Sequence, residues 1–179
     1  MLYPSICTSG PWPCKDYLKA SNTLPTAALG ASVALTADTL VVGASGESST
    51  ARGVNMAGSA DSSAASSGAV YVYRWNGTAW RQEAYIKSSN SEEGDAFGSS
   101  VAIYGDTLAV SALGESSNAT SVNGDQNNNS SPGSGAVYVF QRTGSTWTQQ
   151  AYLKASNAER EDRFGSSLSL FGDYLAVGA

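Results

Sequence analysis

Apolar and polar positions alternate in short bursts along this chain, and the bursts come in matched pairs. In SSVAIY (99–104) Val101 and Ile103 stand between polar or small neighbours, GD (105–106) offers a tight turn, and TLAVSA (107–112) alternates Leu108, Val110 and Ala112. GAVYVFQR (135–142) is instead β-branched and aromatic on both faces; TGS (143–145) turns the chain and TWTQQAYLKA (146–155) supplies a fourth strand. A period of two predicts strands, and a strand apolar on both faces needs cover on both sides. The predicted unit is a four-stranded antiparallel sheet packed between sheets of its own kind.

The unit recurs. YLKASN (17–22), YIKSSN (85–90) and YLKASN (152–157) stand 68 and then 67 residues apart. Gly30, Gly98 and Gly165 follow their tyrosine by the same interval, as do Asp38, Asp106 and Asp173, while Trp12, Trp80 and Trp147 precede it. Glu47 and Glu115 keep register inside GESS, and GAVYVY (68–73) matches GAVYVF (135–140). This predicts one all-β domain over 1–179: whole four-stranded blades at 30–88 and 98–155, a third-and-fourth-strand half-blade at 1–20, and a first-and-second-strand half-blade at 165–179. Small residues on some strands and aromatics on others suit a tapering blade. Radial packing of such blades, the β-propeller, hides the sheet edges.

The phrases FGSS…GDTLAVSA and GAVYVF resemble the FG-GAP repeat of integrin α-chain N-terminal propellers, in its bacterial-type variant. Phe97-Gly98 and Phe164-Gly165 carry the FG, with Leu29-Gly30 a weakened copy; Gly43-Ala44 and Gly178-Ala179 carry the GA, and Ser111-Ala112 departs from it. The resemblance implies a non-enzymatic extracellular or cell-surface module for adhesion or for protein or glycan recognition. A purely structural unit of a larger surface protein is the alternative, and an accessory domain of a hydrolase a third. It also implies more blades than this chain holds. The expectation is a window on a longer, seven-bladed propeller, with two copies closing as six blades as the alternative. Family members often carry a D-x-D-x-D-G calcium loop between the first two strands. Here that place holds only TAD (36–38), YGD (104–106) and FGD (171–173), too few oxygens for calcium, so those sites are not carried over.

Charge and composition narrow the function. Charged residues make up 14% of the chain, the net charge is −5, and the ten Lys and Arg form no cluster, which argues against a nucleic-acid groove. No apolar run reaches membrane-spanning length, and MLYPSICTSG lacks the pattern of a signal peptide. With no histidine the usual Ser-His and Cys-His pairs cannot form, so no enzyme is expected. Cys7 and Cys14 read as a local disulfide or as two thiols.

Up-and-down strands send the connections after the second strand, and those between blades, to one face. That face receives the long polar segments 45–67 and 113–134, and long loops on a compact scaffold are where ligands bind. The candidate ligand residues there are Glu47, Glu115, Asn118, Asp125, Glu92, Asp95, Glu159 and Asp162. Asn123, Asp125, Asn127 and Asn129 recur at every second residue, as in hard-cation loops, and are the candidate calcium ligands against the reading of a solvated turn. Asp95 and Asp162 also read as turn-fixing acceptors of backbone N–H groups. Trp12, Trp80 and Trp147 read as packing between blades rather than as sugar platforms. Asn76, Asn118, Asn128 and Asn129 satisfy the glycosylation pattern.

Overall fold

The computed structural model describes residues 5–7, 14–22, 26–56 and 61–179, and every regular element in them is a strand. β1 (Ser5–Cys7) and β2 (Cys14–Tyr17) form a hairpin. β3 (Leu29–Leu35), β4 (Thr39–Ala44), β5 (Ala69–Trp75) and β6 (Trp80–Ile86) form one antiparallel sheet in chain order, the first blade. β7 (Phe97–Tyr104), β8 (Thr107–Ala112), β9 (Ala136–Thr143) and β10 (Thr146–Leu153) form the second, and β11 (Leu168–Phe171) pairs with β12 (Tyr174–Val177). The backbone register sets Cys7 opposite Cys14; the side chains of both, and the whole of Trp12, lie outside the described residues.

The double-sided apolar pattern of the middle strands has a direct cause. On the first blade Leu40, Val42, Tyr71 and Tyr73 face back and pack with Leu18 and Ala20. Val41, Val70, Val72 and Ile86 face forward and share a cluster with Leu108, Val110, Tyr138, Phe140 and Trp147 of the second blade. Each blade thus presents aromatic rings backward and aliphatic side chains forward, so rings of one blade seat against the smaller groups of the blade before it.

Phe-Gly and Gly-Ala turn out to be the two halves of one contact. Phe97 is fully buried, with its ring edge-on to Tyr138 at 5.4 Å. Gly98 has φ +88°, a conformation that glycine adopts without penalty, and it lies in the bulge where β7 leaves register with β8. That kink brings its carbonyl oxygen onto the first blade: a Cβ on Gly43 would lie 2.1 Å from it, and Ser32 Oγ donates to it at 2.8 Å. At the next junction Gly165 packs on Ser111, whose hydroxyl accepts the Ser100 N–H at 2.9 Å. A serine is tolerated there because its hydroxyl joins its own blade.

Gly43→Ala is expected to force the two backbones apart and destabilise the fold by about 1–3 kcal/mol, the usual cost of overpacking. Urea denaturation of the two proteins side by side checks this, and an unchanged midpoint would refute the contact.

Candidate functional site

A strand end, a loop and a turn bring the recurring polar residues together inside each blade. Lys87 follows β6, Glu47 sits in the turn after β4, and Ser67 precedes β5. Lys87 Nζ donates to Glu47 Oε2 at 2.8 Å, to the Ser49 carbonyl at 2.8 Å and to Ser67 Oγ at 2.6 Å. Both charged side chains are fully buried. The second blade repeats the arrangement: Lys154 Nζ donates to Glu115 Oε2 at 2.8 Å and to Ser134 Oγ at 2.7 Å, again without exposure of the lysine. Burial lowers the Lys87 pKa while Glu47 opposes that shift.

The remaining oxygen of each glutamate is satisfied from the preceding blade. Asn22 Nδ2 donates to Glu47 Oε1 at 3.0 Å, and Asn90 Nδ2 donates to Glu115 Oε1 at 3.2 Å. The same asparagines accept tyrosine hydroxyls through Oδ1, Asn22 from Tyr71 and Asn90 from Tyr138 at 2.6 Å. On the opposite side of the junction Trp147 Nε1 donates to Glu83 at 3.0 Å, and Arg142 lies over the Trp147 ring while donating to Asp106 at 2.7 Å and to Thr39 Oγ1 at 3.0 Å.

Glu47 and Glu115, expected on the loop face, lie instead inside the blades, buried and paired with lysine. Their oxygens are bonded by a lysine, an asparagine and serine donors of the protein itself. Asp95 is also buried, and Oδ2 accepts the Glu92 N–H at 2.8 Å, the turn-fixing role; Asp162 takes the Glu159 N–H at 2.7 Å in the same way. Burial pushes the Asp95 carboxyl up to about 7, helped by Glu115 and Glu92, although the Glu92 amide and Lys87 favour its charged form.

Asn123, Asp125 and Asn129 of the spaced set are each engaged in separate hydrogen bonds. Asn123, at φ +55°, donates its N–H to the Tyr152 carbonyl at 2.7 Å and accepts the Tyr152 N–H on Oδ1 at 2.9 Å. It thus bonds the outer edge of β10 as another strand would. Asp125 accepts the Asn127 N–H at 2.9 Å, and Asn129 donates to Glu92 at 2.7 Å. Among the described residues no group of three or more His, Cys, Asp and Glu is placed to hold a metal. Asn55 is the first blade's copy of the clamp, bonding the backbone N–H and carbonyl of Tyr85 at 2.8 Å from φ +52°. The shared Val-Asn dipeptide in two otherwise unlike loops was the available signal. The exposed Asp61 organises the first loop by accepting N–H and O–H groups of Ser63 and Thr50, which hold its carboxyl down to about 2.

Asn118, Asp125, Asn127 and Asn129 stay exposed, and Asn118 N–H is held by Asn128 Oδ1 at 3.0 Å. Ser89 and Asn90 tie Gln126 to the connector between the blades at 2.7 and 3.0 Å. Trp147 is buried across the junction; Trp80 is half-buried with its ring 5.7 Å from Trp75.

Recurring antiparallel blades, each closed by a buried ion pair and joined through an asparagine and a glycine contact, define a repeat protein of the four-stranded-blade class. Residues 80–140 and 147–179, together more than half of the chain, match the FG-GAP repeat, and the chain belongs to that family. Each match starts at a fourth-strand tryptophan and crosses a junction into the next repeat. The comparison with curated proteins returned no match.

Lys154→Met is expected to cost about 3–5 kcal/mol by stranding Glu115, whereas Lys154→Met with Glu115→Leu should recover most of it. Denaturant midpoints of the two single variants and the double variant decide this. The pH dependence has a definite sign. The folded state holds the Asp95 proton more tightly than the unfolded chain, so this contribution to stability is complete at low pH. It fades as pH rises from about 4 through 7. Asp95→Asn keeps the acceptor for the Glu92 N–H, so its melting midpoint should gain on the parent's from pH 4 to pH 8; parallel curves would exclude the titration.

Proposed function

We propose that this chain is a non-enzymatic recognition module presented outside the cell, engaging a protein or glycan through the face formed by segments 45–67 and 113–134. One observation carries the reading: the second long loop is held in place by its own hydrogen bonds, yet leaves polar groups at its surface. The Asn123 clamp and the Gln126 contacts anchor it. Asn118, Asn127 and Val122 then face solvent from a fixed backbone, with Val122 61% exposed. Preorganised loops lose little entropy on binding, which is what a recognition surface needs. Three carboxylates that an enzyme of this shape would draw on are otherwise engaged: Asp95 and Asp162 close turns, and Glu92 holds Asn129.

A structural role within a larger surface protein is the second reading. It is supported by the fate of Glu47, Glu115, Lys87 and Lys154, recurring charges that are all spent inside the blades.

Protein and glycan arrays probed with the folded chain separate the two. The recognition reading expects a specific signal that falls at least about tenfold when Asn118, Val122 and Asn127 are replaced together by alanine, with the melting midpoint unchanged. Folded protein that engages nothing on either array would leave the structural role.

A further inference from the structure

Each buried glutamate bridges an amine and an amide. Glu115 accepts Lys154 Nζ on Oε2 at 2.8 Å and Asn90 Nδ2 on Oε1 at 3.2 Å. Glu47 accepts Lys87 Nζ on Oε2 at 2.8 Å and Asn22 Nδ2 on Oε1 at 3.0 Å. The amide oxygen has a donor of its own, the Tyr138 hydroxyl on Asn90 Oδ1 at 2.6 Å and the Tyr71 hydroxyl on Asn22 Oδ1. Burial holds both phenols protonated, so both stay donors. Lys154, Glu115, Asn90 and Tyr138 are all buried.

These groups have complementary chemistry. An amine attacks an amide when it can shed a proton, when the carbonyl oxygen is polarised by a donor, and when the departing nitrogen can take a proton up. The carboxylate, bonded to both nitrogens, serves the first and last needs, and the tyrosine serves the second. Loss of water favours passing the proton from ammonium to carboxylate; burial lowers the Lys87 pKa against the opposing pull of Glu47. The fold also replaces a chance encounter by a fixed one. A buried ion pair needs only some donor for its second oxygen, which a serine could supply. An asparagine whose own carbonyl is held by a buried phenol is a more particular choice, and it is made at both junctions.

We infer that Lys154 and Asn90 join in an intramolecular isopeptide bond across the blade junction, as do Lys87 and Asn22 one repeat earlier. Lys154 Nζ passes a proton to Glu115 and attacks Asn90 Cγ, while Tyr138 bonds the developing oxyanion. Glu115 hands that proton to Nδ2 as the Cγ–Nδ2 bond breaks and ammonia leaves. The second proton lost from Nζ stays on Glu115. An Nζ–Cγ amide thus replaces an ion pair, and the buried site is neutral before and after. The uncharged amine–acid pair is the minor form, so the bond follows folding slowly, and freshly folded chain is the ion-paired protein. YIKSSN (85–90) carries both Lys87 and Asn90, so one hexapeptide is fastened to the repeats on either side.

Intact mass and a tryptic digest of the full chain, freshly folded and after prolonged incubation, test this. The mass should fall by one ammonia per bond, and the digest should yield a branched peptide holding Asn90 and Lys154, uncut after Lys154. Asn157, the third copy of the asparagine, is exposed and bonded to no glutamate among the described residues, and should stay unmodified. Lys154→Arg keeps the charge on a group that does not give up its proton, and Glu115→Gln removes the proton carrier. Each should abolish this branched peptide and leave the one joining Asn22 to Lys87. The branch should survive hydroxylamine, which opens the succinimide that Asn123-Gly124 forms with the same loss of mass. Asn90 and Lys154 recovered only in separate peptides after the incubation would overturn the proposal, as would a branched Asn90 peptide that persists in Glu115→Gln.

Discussion

A lysine ammonium group without solvent sets the terms for the rest of the blade. Moving that charge from water costs several kcal/mol unless it is paired and its protons are bonded, so Lys87 requires Glu47, the Ser49 carbonyl and Ser67 in one place. These belong to the end of the fourth strand, the turn after the second and the approach to the third. Satisfying one ion therefore fixes three segments that the ladder alone leaves loosely placed. It also leaves the second oxygen of the glutamate in need of a donor, and that donor is the asparagine of the blade before. Electrostatic completion of one blade thus depends on its neighbour, which couples the repeats more specifically than apolar contact does. An apolar pair of similar volume would give comparable stability but no register, and register matters in a sheet where a one-residue slip exchanges its two faces.

The apolar packing points in the same direction. Rings on the backward face and aliphatic groups on the forward face give the stack a polarity, so a blade fits only in one orientation against the one before. The Gly43–Gly98 approach then sets the spacing where backbone meets backbone. The three devices act at different depths of one junction, and a substitution in any of them acts on two repeats at once.

The strand pattern was legible because period-two alternation and tight turns are local properties, and the repeat spacing supplied the rest. Phe97-Gly98 was recognisable as a motif, but its counterpart in Gly43 needed coordinates, because the contact spans 55 residues that no local rule connects. The ion pairs were half visible. In the sequence Glu47 and Glu115 read as recurring acids on polar loops, and Lys87 and Lys154 as parts of a repeat marker. Their separations, 40 and 39 residues, were equally regular. What sequence reasoning lacked was burial: a glutamate in a serine-rich loop reads as exposed unless its lysine is known to point inward. Asn123 failed for a related reason. Alternate amides suggest cation ligands, whereas a left-handed asparagine bonding the backbone N–H and carbonyl of Tyr152 is a sheet-edge device visible only against the strand it caps.

Equivalence in a repeat is an equivalence of position, not of chemistry. Asp95 and Asp162 occupy matched sites and accept the same kind of backbone hydrogen bond at nearly the same length. Yet Asp95 is buried while Asp162 is not, because the Gly114 turn of the following blade covers the first. The covered carboxylate is pushed toward neutral pH, and the push comes from lost water together with Glu115 of that same blade. A residue on a connector therefore acquires its titration from the repeat that packs on it. The same logic holds for Asn22, Asn90 and Asn157, one residue in three settings whose role is decided by what stands opposite. Function in such a chain is set junction by junction, and the loops that escape the junctions are the surface left to meet anything else.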